Sequence, residues 1–151
     1  MNEPVKRNRI LSNSIFTNGG LGIDLLGPNE DYDTNVPAAN DILDPDVGPN
    51  DLQNSPVITS AKASRRGTAI KGTLNSTPNT LFVLQLFSNP TGDAEGKTFI
   101  RETSVATDAS GNASFSLRAK RVSGVVTATA TNFSSGDTSE FSAPKKVVRL
   151  R

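Results

Sequence analysis

The stretch that decides the fold is Leu81-Phe82-Val83-Leu84-Gln85-Leu86-Phe87-Ser88, residues 81–88. Side chains alternate between the two faces of a strand, so Phe82, Leu84 and Leu86 fall on one face. The intervening residues, which include Gln85 and Phe87, fall on the other face. This alternation predicts a β-strand, and no helical periodicity competes with it.

Similar short runs recur on both sides of this stretch, with turn signals such as Asn89-Pro90-Thr91-Gly92 between them. The predicted strands are 57–63, 68–74, 81–88, 97–106, 113–117, 125–131, 138–142 and 145–150. Seven to eight short strands at this spacing predict an all-β chain with an immunoglobulin-like β-sandwich over residues 56–151. The chain has no Cys and no Trp, which excludes an antibody-type core.

The alternation also predicts which side chains fill the sandwich. The expected core consists of Val57, Ile58, Ile70, Leu74, Phe82, Leu84, Leu86, Phe99, Val105, Phe115, Leu117, Val126, Ala128 and Phe141.

Residues 1–26 have a different pattern, in which Asn-x-Ile recurs at Asn8 and at Asn13 before a Gly-rich turn. Isoleucines suit strand positions and asparagines suit corners, so this region resembles one coil of a right-handed parallel β-helix. One coil cannot bury its own apolar face, because repeat architectures need about three units for stability. We therefore expect either that the chain is a piece of something larger or that this coil packs on something else.

Charge is distributed unevenly along the chain. No Lys or Arg occurs between residues 10 and 61, whereas eight acidic residues do. These are Asp24, Glu30, Asp31, Asp33, Asp41, Asp44, Asp46 and Asp51. Most lie in residues 27–55, an Asp/Asn/Pro-rich linker between the coil and the sandwich.

A solvated linker that holds no cofactor is the first interpretation of these acidic residues, and a calcium site is the second. Ca²⁺ takes six to eight hard oxygen ligands, and carboxylates without neighbouring bases repel one another unless a cation bridges them. The candidate metal ligands are Asp41, Asp44, Asp46 and Asp51. Their spacing is not that of an EF-hand loop.

Several chemistries are disfavoured by composition. The chain has no Cys and no His, which excludes Ser-His-Asp and Cys-His nucleophile systems. Basic residues such as Arg65 and Arg66 have no aromatic neighbours, so we expect no nucleic-acid partner. No run approaches the roughly 18 apolar residues of a membrane span.

Several motifs together resemble the C-terminal region of bacterial surface proteins with parallel β-helix repeats. They are NSIFTNGGLGIDL (13–25), GPNDLQNSPVITSA (48–61), GTLNSTPNTLFVLQLFSNP (72–90), EGKTFI (95–100), TDASGNASFS (107–116) and TATATNFSSGDTSEFS (127–142). In that family a last coil runs into an Asp-rich linker and a small β-sandwich. The resemblance implies a non-enzymatic, extracellular or cell-surface module. This chain departs from the family in lacking the preceding repeats and in having a basic tail from Lys145.

The expected function is therefore a structural or assembly module, a homo-oligomer or filament whose subunits join by strand addition. The uncovered face of Ile10, Ile15 and Ile23 is the reason for expecting a neighbouring subunit. The alternative is a calcium-dependent or carbohydrate-binding module of a larger adhesin or enzyme, with a polysaccharide as partner. The first residues show no signal-peptide pattern, so the extracellular location rests on the resemblance.

Overall fold

The protein was analysed as a computed structural model, which describes residues 5–27 and 35–150. Within those ranges the chain is all-β, with a single 3₁₀ turn at Pro49–Leu52 and no α-helix. The strands are β1 (Val57–Ser64), β2 (Gly67–Asn75), β3 (Leu81–Asn89), β4 (Thr98–Ala106), β5 (Asn112–Ala119), β6 (Val125–Asn132), β7 (Lys145–Lys146) and β8 (Val148–Arg149). The acidic residues Glu30, Asp31 and Asp33 lie outside the described residues.

The strands form two four-stranded sheets, with orders β5-β2-β1-β8 and β4-β3-β6-β7. All neighbours are antiparallel except β1 and β8, which run parallel. The predicted all-β sandwich is confirmed. The described part of the chain contains no helix with the length and apolar character needed to cross a membrane.

The main core lies between the two sheets and contains most of the predicted side chains. Its buried members are Ile58, Ala61, Ala63, Ile70, Leu74, Phe82, Leu84, Leu86, Phe115, Val126, Ala128, Ala130 and Val147. Val105 and Leu117 pack against this core and are partly buried. Phe141 is buried as predicted, but in a second cluster.

Two core predictions are wrong, and a strand irregularity accounts for the first of them. Phe99 is 48% exposed because a register shift in the β3–β4 pairing places it opposite Phe87, on the outer face of edge strand β4. Val57 is 52% exposed and precedes a similar shift between Ile58 and Ser60. The bulge in β4 reverses the alternation at Phe99, whereas Val57 points outward because its neighbour Ile58 points into the core.

A second apolar cluster covers the outer face of the sheet that contains β3 and β6. Its buried residues are Ile23, Leu25, Leu52, Phe87 and Phe141, with Ile10 and Ile15 packed against them. Residues 5–27, here called the N-terminal segment, thus form a third layer on this sheet. Strand β6 is covered on both sides as a result and is buried at every position except its last.

The N-terminal segment contains no regular strand, and its one backbone bridge joins Ile15 to Gly96 (N···O 3.0 and 2.8 Å). Side chains of the sandwich take the place of a neighbouring strand. The N–H of Ile10 donates to Thr138 Oγ1 (2.9 Å), and that of Ser12 donates to Gln85 Oε1 (2.9 Å). The face of the coil that was expected to need a neighbour is therefore covered by the chain itself.

Residues 138–142 were predicted as a strand but form no regular one. Their backbone follows β6, with the N–H groups of Ser139 and Ser142 donating to β6 carbonyls (both 2.8 Å). In return, the hydroxyls of the same two serines accept from the N–H groups of Ala130 (2.9 Å) and Ala128 (3.0 Å). Side-chain oxygens replace backbone carbonyls here, which interrupts the ladder that defines a strand.

Candidate metal centre

Three of the predicted ligands are close together at one end of the sandwich. Carboxylate oxygens of Asp41, Asp44 and Asp46 all lie within 4.8 Å of one another. Two oxygens bound to one Ca²⁺ at its usual contact distances are at most about 5 Å apart. The three carboxylates are thus spaced as ligands of a single ion would be.

The backbone brings these side chains together through a tight turn. Leu43 and Asp44 both have left-handed conformations, with φ of 70° and 58°. The Leu43 N–H donates to Asn75 Oδ1 at the end of β2 (2.9 Å), which fixes the turn to the sandwich. An Asp tolerates the left-handed region because its short polar side chain can bond locally, whereas Leu has no such compensation.

Asp44 is the most strongly held of the three. Its carboxylate accepts from the Asn54 N–H (3.1 and 3.2 Å), from Gln53 Nε2 (2.7 Å) and from the Ser76 hydroxyl. Burial raises the pKa of Asp44 from 3.8 to about 6, against the lowering effect of these hydrogen bonds. The value of about 6 already includes the smaller raising effect of the negative charges of Asp46 and Asp41. This carboxyl therefore sits in an environment that lacks compensating positive charge.

Asp41 and Asp46 each leave one oxygen unsatisfied. The Oδ1 atoms of both residues are shielded from solvent and have no hydrogen-bond partner. Burial, followed by the charge of Asp41, raises the pKa of Asp46. Within residues 5–27 and 35–150, no Lys or Arg forms a salt bridge with either residue. Both residues are only partly buried, so each unpartnered oxygen costs less than the about 1–3 kcal/mol of a fully buried group, and a cation would remove this cost.

The fourth predicted ligand, Asp51, is not part of this group. It forms a salt bridge with Lys6 in the N-terminal segment. Asp51 is still close enough for its charge to raise the pKa of Asp46. Its role in the structure is to hold Lys6, and the described residues bring only Asp41, Asp44 and Asp46 together.

Amide side chains that the sequence analysis did not select complete the site. Asn54 is 1% exposed, and its side chain bonds both the N–H (3.0 Å) and the carbonyl (2.7 Å) of Asp41. Asn50, Gln53 and Ser76 are also buried. The polar run Asn50-Asp51-Leu52-Gln53-Asn54 falls within the predicted linker. Only its burial in the fold distinguishes it from a solvated linker.

The residues present fit a hard divalent cation. All three candidate ligands offer carboxylate oxygen, which Ca²⁺ and Mg²⁺ prefer, and none offers sulfur or imidazole. Flexible geometry with up to eight ligands favours Ca²⁺ over Mg²⁺, which demands a near-ideal octahedron. Such an ion would offset two of the three negative charges and join Asp41, Asp44 and Asp46 to one another.

A second pair of buried acids has a different role. Glu95 accepts from Asn18 Nδ2 (2.7 Å) and from the Asn18 N–H (3.2 Å). Glu140 accepts from the N–H groups of Leu25 and Ala38 (both 2.7 Å). These carboxylates anchor the N-terminal segment and the chain that follows it.

Comparison with known proteins gave no match, either to a protein-family model or to a curated protein sequence.

Proposed function

We propose that this chain is a non-enzymatic structural module of a bacterial extracellular or cell-surface protein, stabilised by a calcium ion. The ion is held by Asp41, Asp44 and Asp46, and it fixes the acidic residues before β1 against the sandwich. The observation that carries the proposal is the pair of buried, unpartnered Oδ1 atoms of Asp41 and Asp46. The resemblance to surface proteins supports the location.

An immunoglobulin-like arrangement of the sandwich is part of this proposal. In immunoglobulin domains the second and fifth strands are adjacent in one sheet, and the third and sixth strands are adjacent in the other sheet. The pairing of β2 with β5 and of β3 with β6 supports the same connectivity here. Modules of this kind serve as spacers and binding platforms on many cell surfaces.

Thermal unfolding with and without calcium tests the proposal. A ligand present at 100 times its Kd, and bound only by the native state, adds about 2.7 kcal/mol. For a chain of this length that corresponds to a rise in Tm of roughly 5–10 °C. The Asp46→Asn variant should lose the rise, whereas Asp24→Asn, at an exposed acid in the same half of the chain, should keep it. Equal Tm values in calcium and in chelator would reject the proposal.

Assembly of identical subunits is the second candidate function. Among the described strands, β4 and β5 each have one neighbour, so both sheets have an open edge on the same side. An open edge can accept a strand from another copy. Ile10 and Ile15 pack against the chain's own second cluster, which removes one reason to expect assembly. The open edge of the sheets remains as a reason. Sedimentation velocity over a 100-fold range of about micromolar to submillimolar protein concentrations should show a sedimentation coefficient that rises with concentration. A monomer at every concentration would reject assembly.

A further inference from the structure

The loop that carries the acidic cluster also holds the start of the N-terminal segment. Asn50 is fully buried, and its Nδ2 donates to the carbonyls of Asn8 (2.9 Å) and Thr138 (3.0 Å). Its Oδ1 accepts from the N–H (2.9 Å) and the Nδ2 (3.1 Å) of Asn8. The Asn50 N–H donates to the Val5 carbonyl (3.0 Å). Asn50 therefore connects residues 5–8 to the sandwich, through its side chain at Asn8 and through its backbone at Val5.

The C-terminal end of residues 50–54 contacts the acidic cluster. Three and four residues after Asn50, Gln53 and Asn54 donate to the Asp44 carboxylate. Asn54 also fixes the backbone of Asp41 in both directions. Any displacement of residues 50–54 therefore disturbs both the contact with Asn8 and the contacts with the acidic cluster.

The connecting stretch has a conformation that its surroundings must maintain. Asn50, Asp51 and Leu52 are three consecutive residues in the left-handed region, with φ of 47°, 50° and 47°. Such residues cost of order 1–3 kcal/mol each and persist only where neighbouring contacts hold them. The contacts here are Asn8 on one side and the Asp44 carboxylate on the other. Thr138, Asn75 and the second cluster around Leu52 also hold the stretch, so loss of either contact loosens it without freeing it.

We propose that cation binding at Asp41, Asp44 and Asp46 is coupled through residues 50–54 to the docking of the N-terminal segment on the sandwich. The inference rests on the proposed calcium site. An ion that fixes Asp44 fixes Gln53 and Asn54, which hold Asn50 in position to bind Asn8. By linkage, the docked segment raises calcium affinity by the same factor by which calcium stabilises docking. Calcium thus sets how rigidly residues 5–8 of the N-terminal segment are held on the sandwich.

Amide hydrogen exchange followed by NMR tests one direction of the coupling. Calcium should slow exchange of the Asn8 N–H, bonded to Asn50 Oδ1, by about fivefold, the lower end of common coupling factors. The Leu25 N–H is an internal control, because Glu140 and not the loop holds it. Its exchange should change by less than about twofold if the effect passes through residues 50–54. Equal slowing at both amides, or at neither, would overturn the coupling.

Calcium titration of two matched full-chain variants tests the other direction. Asn8→Ala should weaken calcium binding by about fivefold. Asn13→Ala should leave affinity unchanged, because among the described residues the exposed Asn13 side chain bonds only to the nearby Leu11 carbonyl (3.0 Å). If calcium binds the wild type and both variants equally, the coupling is wrong and the metal site stands. If calcium does not bind the wild type, both proposals fail.

Discussion

The buried Asn54 side chain bonds both backbone polar groups of Asp41. Its Oδ1 accepts from the Asp41 N–H (3.0 Å), and its Nδ2 donates to the Asp41 carbonyl (2.7 Å). The same Nδ2 also donates to the Asn75 carbonyl at the end of β2 (3.0 Å). A single amide therefore places a candidate metal ligand against the edge of the sandwich. No smaller side chain could form all three bonds.

Replacing Asn54 with Ala should destabilise the protein by about 2–4 kcal/mol, because it leaves several buried backbone groups without partners. Asn13→Ala is the matched control and should change the free energy of unfolding by less than about 0.5 kcal/mol. Urea unfolding in chelator measures both without any contribution from the ion. Similar values for the two variants would contradict the role assigned to Asn54.

The raised pKa of Asp44 predicts a pH dependence for the metal-free protein. The folded-state pKa is about 6, against 3.8 for an unperturbed Asp. The native state therefore binds this proton more tightly than the unfolded state does. Ionising Asp44 penalises folding fully above pH 6, and the penalty is relieved as the pH falls from 6 towards 3.8. We expect the free energy of unfolding of Asp44→Asn, minus that of the wild type, to be more positive at pH 7 than at pH 4.5. Both proteins are measured in chelator.

Calcium affinity should show the opposite trend, because the proton and the ion compete for Asp44. With a pKa of about 6, roughly one Asp44 in ten is ionised at pH 5. The apparent affinity should therefore be about tenfold weaker at pH 5 than at pH 7.5. Calorimetric titrations at the two pH values measure this ratio, and equal affinities would show that Asp44 is not a ligand.

The second cluster makes a prediction about stability that is independent of any ion. Phe87 packs edge-to-face on Phe141, with ring centroids 5.5 Å apart, beneath the N-terminal segment. Phe87→Ala should cost about 3–5 kcal/mol, as for other buried aromatic residues. Phe99→Ala, which removes the ring that lies opposite Phe87 but is 48% exposed, should cost less than about 1.5 kcal/mol. Equal costs would mean that the N-terminal segment does not cover this sheet.

The sandwich could be predicted from the sequence because its signal is local. Alternation around Phe82, Leu84 and Leu86 identified β3 and its core face, and all three are fully buried. The same rule misplaced Phe99, because a bulge in the β3–β4 pairing is set by contacts between strands and has no sequence signature of its own. It also failed at Ser139 and Ser142, whose hydroxyls stand in for carbonyls.

The candidate site was only half predictable. Asp41, Asp44 and Asp46 stand close together in the sequence, and their charge identified them. Asn50 and Asn54 have no such signal, because their partners are 42 and 21 residues away at Asn8 and Asn75. The N-terminal segment was predicted to need cover, but which surface would cover it depends on the tertiary fold. Contacts of this range follow from packing and not from local pattern.

The measurement that most directly tests the central claim is a calcium titration of the metal-free protein by isothermal calorimetry. The account predicts one ion bound per chain, with binding abolished or weakened at least about tenfold by Asp46→Asn. Binding should be unchanged by Asp24→Asn, which alters an exposed acid outside the cluster. Absence of binding by the wild type, or equal affinity in Asp46→Asn, would contradict it.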